Sequence, residues 1–132
     1  MSRFLVFIAA LLSLSSCSDD DDSTSETAAC GVGNPVEDLG WLQAEIIDRE
    51  ANPTEDTKYC YIEQAELNGQ TVFIYEDCNP AINKIVPVFD CEGDFIGRIG
   101  NEVQQNELSD SCVIWLPEDF ACLINFSCVR NN

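Results

Sequence analysis

Seven cysteines, Cys30, Cys60, Cys78, Cys91, Cys112, Cys122 and Cys128, are spread along the last hundred or so residues, and no other feature restricts the fold as much. A metal centre needs clustered ligands, and this chain does not offer them. It has no histidine and no Cys-x-x-Cys, and its closest cysteine pair, Cys122 and Cys128, is separated by five residues. The missing Cys-x-x-Cys also argues against a thioredoxin-like redox role. The spacing is that of a stapled module, in which each closed loop contributes about 2–4 kcal/mol. Three disulfides and one leftover thiol are expected. Six cysteines allow fifteen pairings for each choice of the odd one, so the connectivity stays open.

An eighth cysteine, Cys17, closes a leader. Arg3 supplies a short positive region, and Phe4–Leu14 (FLVFIAALLSL) is an apolar run. At ~1.5 Å per residue that run spans about 16 Å as a helix, roughly half a bilayer core, which suits a signal-peptide segment and not a permanent span. Leu14-Ser15-Ser16-Cys17 resembles a bacterial lipobox, whose cysteine is acylated and becomes the mature N-terminus. Residues 1–16 are therefore expected to be a lipoprotein signal peptide, with Cys17 the lipidation site. The Ser18–Asp22 run (SDDDD) resembles the acidic tract of surface-exported Bacteroidota lipoproteins. The expected location is the outer membrane, exposed at the cell surface, with a periplasm-facing lipoprotein as the lesser alternative. The membrane would be met through the lipid anchor alone. An exported chain is an oxidising-compartment chain, which agrees with disulfides.

Residues 17–29 carry no large apolar side chain after the cysteine and read as a flexible acidic tether. Residues 30–132 form the single expected domain, with 5 basic and 19 acidic side chains, a net charge of −14. A field of that sign repels nucleic acid, so a nucleic-acid partner is excluded. It suits a solvated extracellular surface or a cationic partner. Asp22-Ser23-Thr24 resembles a short O-glycosylation motif, and Asn125-Phe126-Ser127 matches an N-glycosylation sequon by coincidence.

Asn34-Pro35-Val36-Glu37 predicts a helix start with Asn34 as the N-cap, Pro35 at the first position and Glu37 reaching back to the cap. Val36, Leu39, Leu42 and Ile46 share one face, Trp41 reads as a core anchor, Gly40 weakens the second turn enough to allow the regular helix to begin only at Asp38, and Asn52-Pro53 ends the helix. Residues 58–78 predict a β-hairpin about Asn68-Gly69. Two registers compete. A two-residue loop pairs Leu67 with Gln70; a three-residue loop with a bulge at Gly69 pairs Glu66 with Gln70. The second places Cys60, Ile62, Val72, Ile74 and Cys78 on one face and is preferred. A second hairpin joins Ile85–Phe89 to Asp94–Ile99 through Asp90-Cys91-Glu92-Gly93, with Asp90 capping the turn and Gly93 left-handed. Pro87 predicts an edge position or a bulge. Residues 100–110 read as a loop, and Cys112–Leu116 as a last strand stopped by Pro117. The tail from Phe120 is expected to fold back on the sheet, held by a disulfide. The fold class is α+β: one N-terminal helix packed on an antiparallel sheet of about five strands built from two hairpins, stapled by disulfides.

Four segments then look familiar together: Asn34–Leu42 (NPVEDLGWL), Asn68–Phe73 (NGQTVF), Val88–Gly93 (VFDCEG) and Val113–Trp115 (VIW). In this order they resemble a group of small exported Bacteroidota lipoproteins to which no activity is assigned. The resemblance covers about residues 30–116 and implies no catalytic residue. The chain departs from it after Asp94, where relatives often carry a further cysteine and a Gly-rich loop. Here Ile96-Gly97-Arg98-Ile99-Gly100 stands without that cysteine, and Cys122 and Cys128 occur in an added tail, so a rearranged disulfide pattern is implied.

Without histidine, Ser-His and Cys-His dyads are ruled out. Carboxylate pairs are plentiful enough to meet glycosidase spacing by chance, and the chain reads as a non-enzyme. Asp90-x-Glu92-Gly93-Asp94 lacks EF-hand ligand spacing and reads as a solvated turn. No cofactor or metal is expected. The expected function is a membrane-anchored binding or accessory module for a protein or glycan partner. The alternative is a protease-inhibitor-like domain presenting a stiffened loop, residues 79–84 or 100–110.

Overall fold

The computed structural model describes residues 29–125. Helices α1 (Pro35–Asp38) and α2 (Gly40–Ala51) precede strands β1 (Cys60–Leu67), β2 (Gln70–Asp77), β3 (Pro87–Phe89), β4 (Phe95–Arg98) and β5 (Leu108–Trp115). The five strands form one antiparallel sheet in the order β4-β3-β2-β1-β5. This is the α+β arrangement expected, with two hairpins supplying four of the strands.

The predicted single helix is interrupted. Leu39 takes extended dihedrals (φ −89°, ψ 104°) between α1 and α2, and its side chain turns onto the core. Asp38, and not Glu37, reaches back to the cap, accepting the Asn34 N–H at 2.9 Å. A four-residue turn has little helical cooperativity of its own, and Gly40 weakens the junction. Leu42 and Ile46 are buried, as the periodicity requires, and Asn52 ends α2 by donating its N–H and side-chain amide to Asp48.

The first hairpin takes the tighter loop, which corrects the preferred register. Leu67 faces Gln70, with Asn68 (φ 52°) and Gly69 (φ 77°) both left-handed as a type I′ turn demands. Asn tolerates this region well enough that no third loop residue is needed. A one-residue slip exchanges the faces of one strand. Ile62 therefore lies with Phe73 and Tyr75 under the helices, and Ala65 with Val72 and Ile74 on the opposite face. Both faces are covered. Val36, Leu42, Ile46, Ile62, Phe73, Ile114 and Trp115 form the helix-side core. Ala65, Val72, Ile74, Val86 and Val88 form the other, closed by Val103.

The predicted loop 100–110 is thus part of the fold. Val103 is 3% exposed, Gln104 and Glu107 form a capping box about a 3-10 turn, and β5 already starts at Leu108. β5 lies at one sheet edge, where its polar first half is tolerated and its pairing with β1 is bulged twice. Pro87 is not on an edge strand, but the β2–β3 ladder starts only at Val88, and β3–β4 carries the anticipated irregularity. At the other edge, the Arg98 N–H donates to the Glu102 carboxylate and the Arg98 carbonyl accepts from Asn101 and Val103. Those contacts occupy backbone groups through which an edge strand recruits further strands.

Cys30 is bonded to Cys91 and Cys78 to Cys122, with Cα–Cα distances of 5.6 and 6.4 Å. Cys112 is disulfide-bonded as well, and Cys60 is the free thiol among the described residues. The tail folds back as far as Cys122: Phe120 packs edge-on to Tyr61, and the Ala121 N–H donates to Lys58 O. Beyond it, Leu123 is fully exposed and adds nothing to the core.

Candidate functional site

Three surface features carry chemistry. The first is an open cleft of about 720 Å³ between the C-terminal end of α2 and the chain leaving β5. Its lining is Arg49, Glu50, Pro53, Thr57, Trp115, Pro117, Glu118 and Asp119. Local chemistry stiffens both walls. On one side, the Thr54 N–H donates to Thr57 Oγ1 at 2.8 Å, and the Thr57 N–H donates to Thr54 O. On the other, the Phe120 N–H closes a turn onto Pro117 O. Trp115 Nε1–H donates to Glu50 Oε1 at 3.0 Å and joins the walls. Arg49 is already engaged. Its Nε lies 2.7 Å from Glu45 Oε1, and its guanidinium sits 4.7 Å from the Tyr75 ring centre and 5.9 Å from that of Trp115. Burial, and then the Glu45 charge, push the Tyr75 hydroxyl up to about 12.

The second feature lies on the opposite sheet face, where Tyr61 faces Glu76 across β1–β2 and Glu63 sits diagonally beside Glu76. Burial pushes both carboxyls above their ordinary value. The Glu76 charge adds to the rise at Glu63, while Lys84, 3.8 Å from Glu76, offsets part of the rise there. Burial is also the main reason the Tyr61 hydroxyl is pushed well up, with Glu76 next. The folded state therefore holds the two carboxyl protons more tightly than the unfolded chain does. The associated stability is fully present below the unfolded value near 4.5 and is lost as pH rises through the higher folded values. Calorimetry should find a higher unfolding temperature at pH 4.5 than at pH 7.5. Glu63→Gln should raise the pH 7.5 value and flatten the profile. A profile unchanged by that substitution removes the pair as its source.

The third feature is residues 79–84, with Ile82 at 45% exposure and neighbouring Ile85 at 67%. Asp77 Oδ1 accepts the Asn79 N–H, Asn79 Oδ1 accepts the Ala81 N–H, and Lys84 Nζ contacts Asp77 O; together they brace this loop, which starts next to the Cys78–Cys122 staple. The other loop considered for insertion into a protease, residues 100–110, is committed to the sheet through Val103 and β5.

The cysteines Cys30, Cys78, Cys91 and Cys122 are brought together in pairs, and Cys60 is left with its Sγ 3.5 Å from Asp56 O. Burial, followed by the Asp77 charge, pushes the Cys60 thiol up, away from the reactive thiolate. Cys17 and Cys128, the leader and most of the tether lie outside the described residues, as do Phe126 and Ser127 of the sequon. The turn at Asp90–Asp94 is as anticipated. Asp90 Oδ1 accepts the Glu92 and Asp94 N–H groups at 3.0 and 2.8 Å, and Gly93 is left-handed.

Two of the familiar segments meet in space. Trp41 Nε1–H donates to Cys91 O at 2.9 Å, and the Trp41 ring lies directly over Gly93. These motifs form a structural joint that shares no residue with the cleft lining. The cleft itself left little trace in the sequence, because its residues come from two stretches, 49–57 and 115–119, far apart in the chain. Pro53 and Pro117 read only as stop signals, and Trp115 only as part of a strand. No protein-family model, curated protein or solved structure matches the chain.

Proposed function

We propose that this chain is an exported lipoprotein, held on the outer membrane by an acylated Cys17 and facing the cell surface, whose domain acts as a binding module. The observation that carries the reading is the pair of disulfides, Cys30–Cys91 and Cys78–Cys122, each joining segments distant in sequence. Such bonds persist in oxidising compartments, where the leader ending at Leu14-Ser15-Ser16-Cys17 would deliver the chain. Binding, in preference to catalysis, is favoured by a braced cleft that presents three carboxylates and two prolines, with no histidine or cysteine in its lining.

Intact-mass analysis of the native chain extracted from membranes tests the proposal. The expected species starts at Cys17, carries acyl chains and has a mass reduced by two hydrogens per disulfide. Cys17→Ala should release the domain into the soluble fraction. A native species that begins at Met1, or a Cys17→Ala variant that stays with the membrane, overturns the anchor.

A further inference from the structure

We propose that the cleft between α2 and the Pro117–Phe120 turn receives a lysine or arginine side chain of a partner protein. This rests on the binding half of the function proposed above and is independent of the anchor. The charges of the lining point to a cation. Three carboxylates, Glu50, Glu118 and Asp119, line the cleft against one basic side chain, Arg49. That one is matched by Glu45 at 2.7 Å and stacked near Tyr75 and Trp115, so it does not cancel the other three. Glu50 is held in place by the Trp115 indole at 3.0 Å, and a carboxylate has about four lone-pair sites, of which the indole takes one. A pre-positioned acceptor loses little ordering entropy when a ligand arrives.

The apolar part of the lining fits the same ligand. Pro53 and Pro117 offer a surface for the methylene stem of Lys or Arg over the nearly buried Trp115 ring, and the charged head then reaches the carboxylates at the rim. Glu118 and Asp119 are exposed, so the head group keeps part of its hydration and binding avoids the full cost of a buried charge. The net charge of −14 over residues 30–132 draws a basic partner in and repels an acidic one. An anionic ligand is repelled by these carboxylates, and a neutral one forgoes the charge pairing with them.

The chain contains two tryptophans, which makes the test internal. Full-length protein in an uncharged detergent, labelled with ¹⁵N, gives one indole signal from Trp115 in the cleft and one from Trp41, whose N–H is held by Cys91 O outside the cleft lining. Titration with a blocked Ala-Arg-Ala-Lys peptide should move the Trp115 signal and leave Trp41 in place. Its citrulline and acetyl-lysine counterpart should move neither. The exposed pair Glu118→Gln/Asp119→Asn should weaken binding at least tenfold. Glu37→Gln/Glu66→Gln, which changes net charge equally at exposed sites elsewhere, should change it by less than twofold. The unliganded indole positions report that each variant is folded. Equal weakening by both pairs reduces the effect to diffuse attraction and overturns the site, as does a Trp115 signal that stays still or answers the neutral peptide equally. None of these outcomes depends on where Cys17 is.

Discussion

Alanine at Gly93 is expected to cost the domain about 2–4 kcal/mol, a large part of the ~5–15 kcal/mol that holds a typical domain folded. Two effects add. Gly93 has φ +85°, where an L side chain is strained by about 1–2 kcal/mol. Its Cβ would also stand 2.7 Å from Trp41 Cδ2, a ring that cannot swing aside without losing its bond to Cys91 O and its edge-on contact with Phe73. Gly31 separates the two effects, since it has φ +77° and nothing within 4 Å of an added Cβ. Urea denaturation of the oxidised protein should show Gly31→Ala losing only the backbone part and Gly93→Ala losing more. In a Trp41→Leu background the extra loss should vanish, because the ring that causes it is gone. Equal losses at the two glycines, with Trp41 present, would show that the close approach has no energetic consequence.

Removing the Cys30–Cys91 bond as the double serine variant should destabilise by about 4 kcal/mol on loop-closure grounds, given a sequence separation of 61. For a domain near 100 residues that corresponds to a fall in unfolding temperature of about 15–30 °C. Cys78–Cys122 closes a loop of similar size, with a separation of 44, so chain entropy alone predicts nearly the same loss. The two should nevertheless differ. Cys91 O anchors Trp41, and Cys30 packs against the helix-side core, so freeing that bond loosens the helix-to-turn joint as well. Cys122 is followed by the fully exposed Leu123, and its release frees a peripheral tail. Differential scanning calorimetry of the two double variants should place Cys30→Ser/Cys91→Ser lower. The reverse order would mean that the tail, not the joint, organises the domain.

Much of the local structure was legible in the residues. The Asn68-Gly69 turn, the Asp90-capped turn ending at Gly93 and the helix stop at Asn52-Pro53 each follow from interactions within a few residues. The hairpin register was not, because both loops satisfy the turn chemistry and differ only in which side chains meet the helices. Gly40 marks the second turn as weak, but the break itself falls at Leu39, for a similar reason. Leucine favours a helix, and it leaves one here because its side chain reaches the core from an extended backbone. The strand Leu108–Ser111 is polar enough to pass for loop, and pairing with β1 makes it a strand. Of the cleft, no single segment carries enough to be recognised.

By itself, then, the sequence determined the α+β class, the turns, the supply of cysteines and a strongly acidic surface, because these depend on composition and on near neighbours along the chain. Only the tertiary structure decided which cysteines pair, that Cys60 stays free, which sheet face the helices cover, and that Glu50, Trp115 and Glu118 line one cleft. Those outcomes depend on contacts between residues tens of positions apart, selected by the burial of Leu42, Phe73 and Ile62 together in a single core.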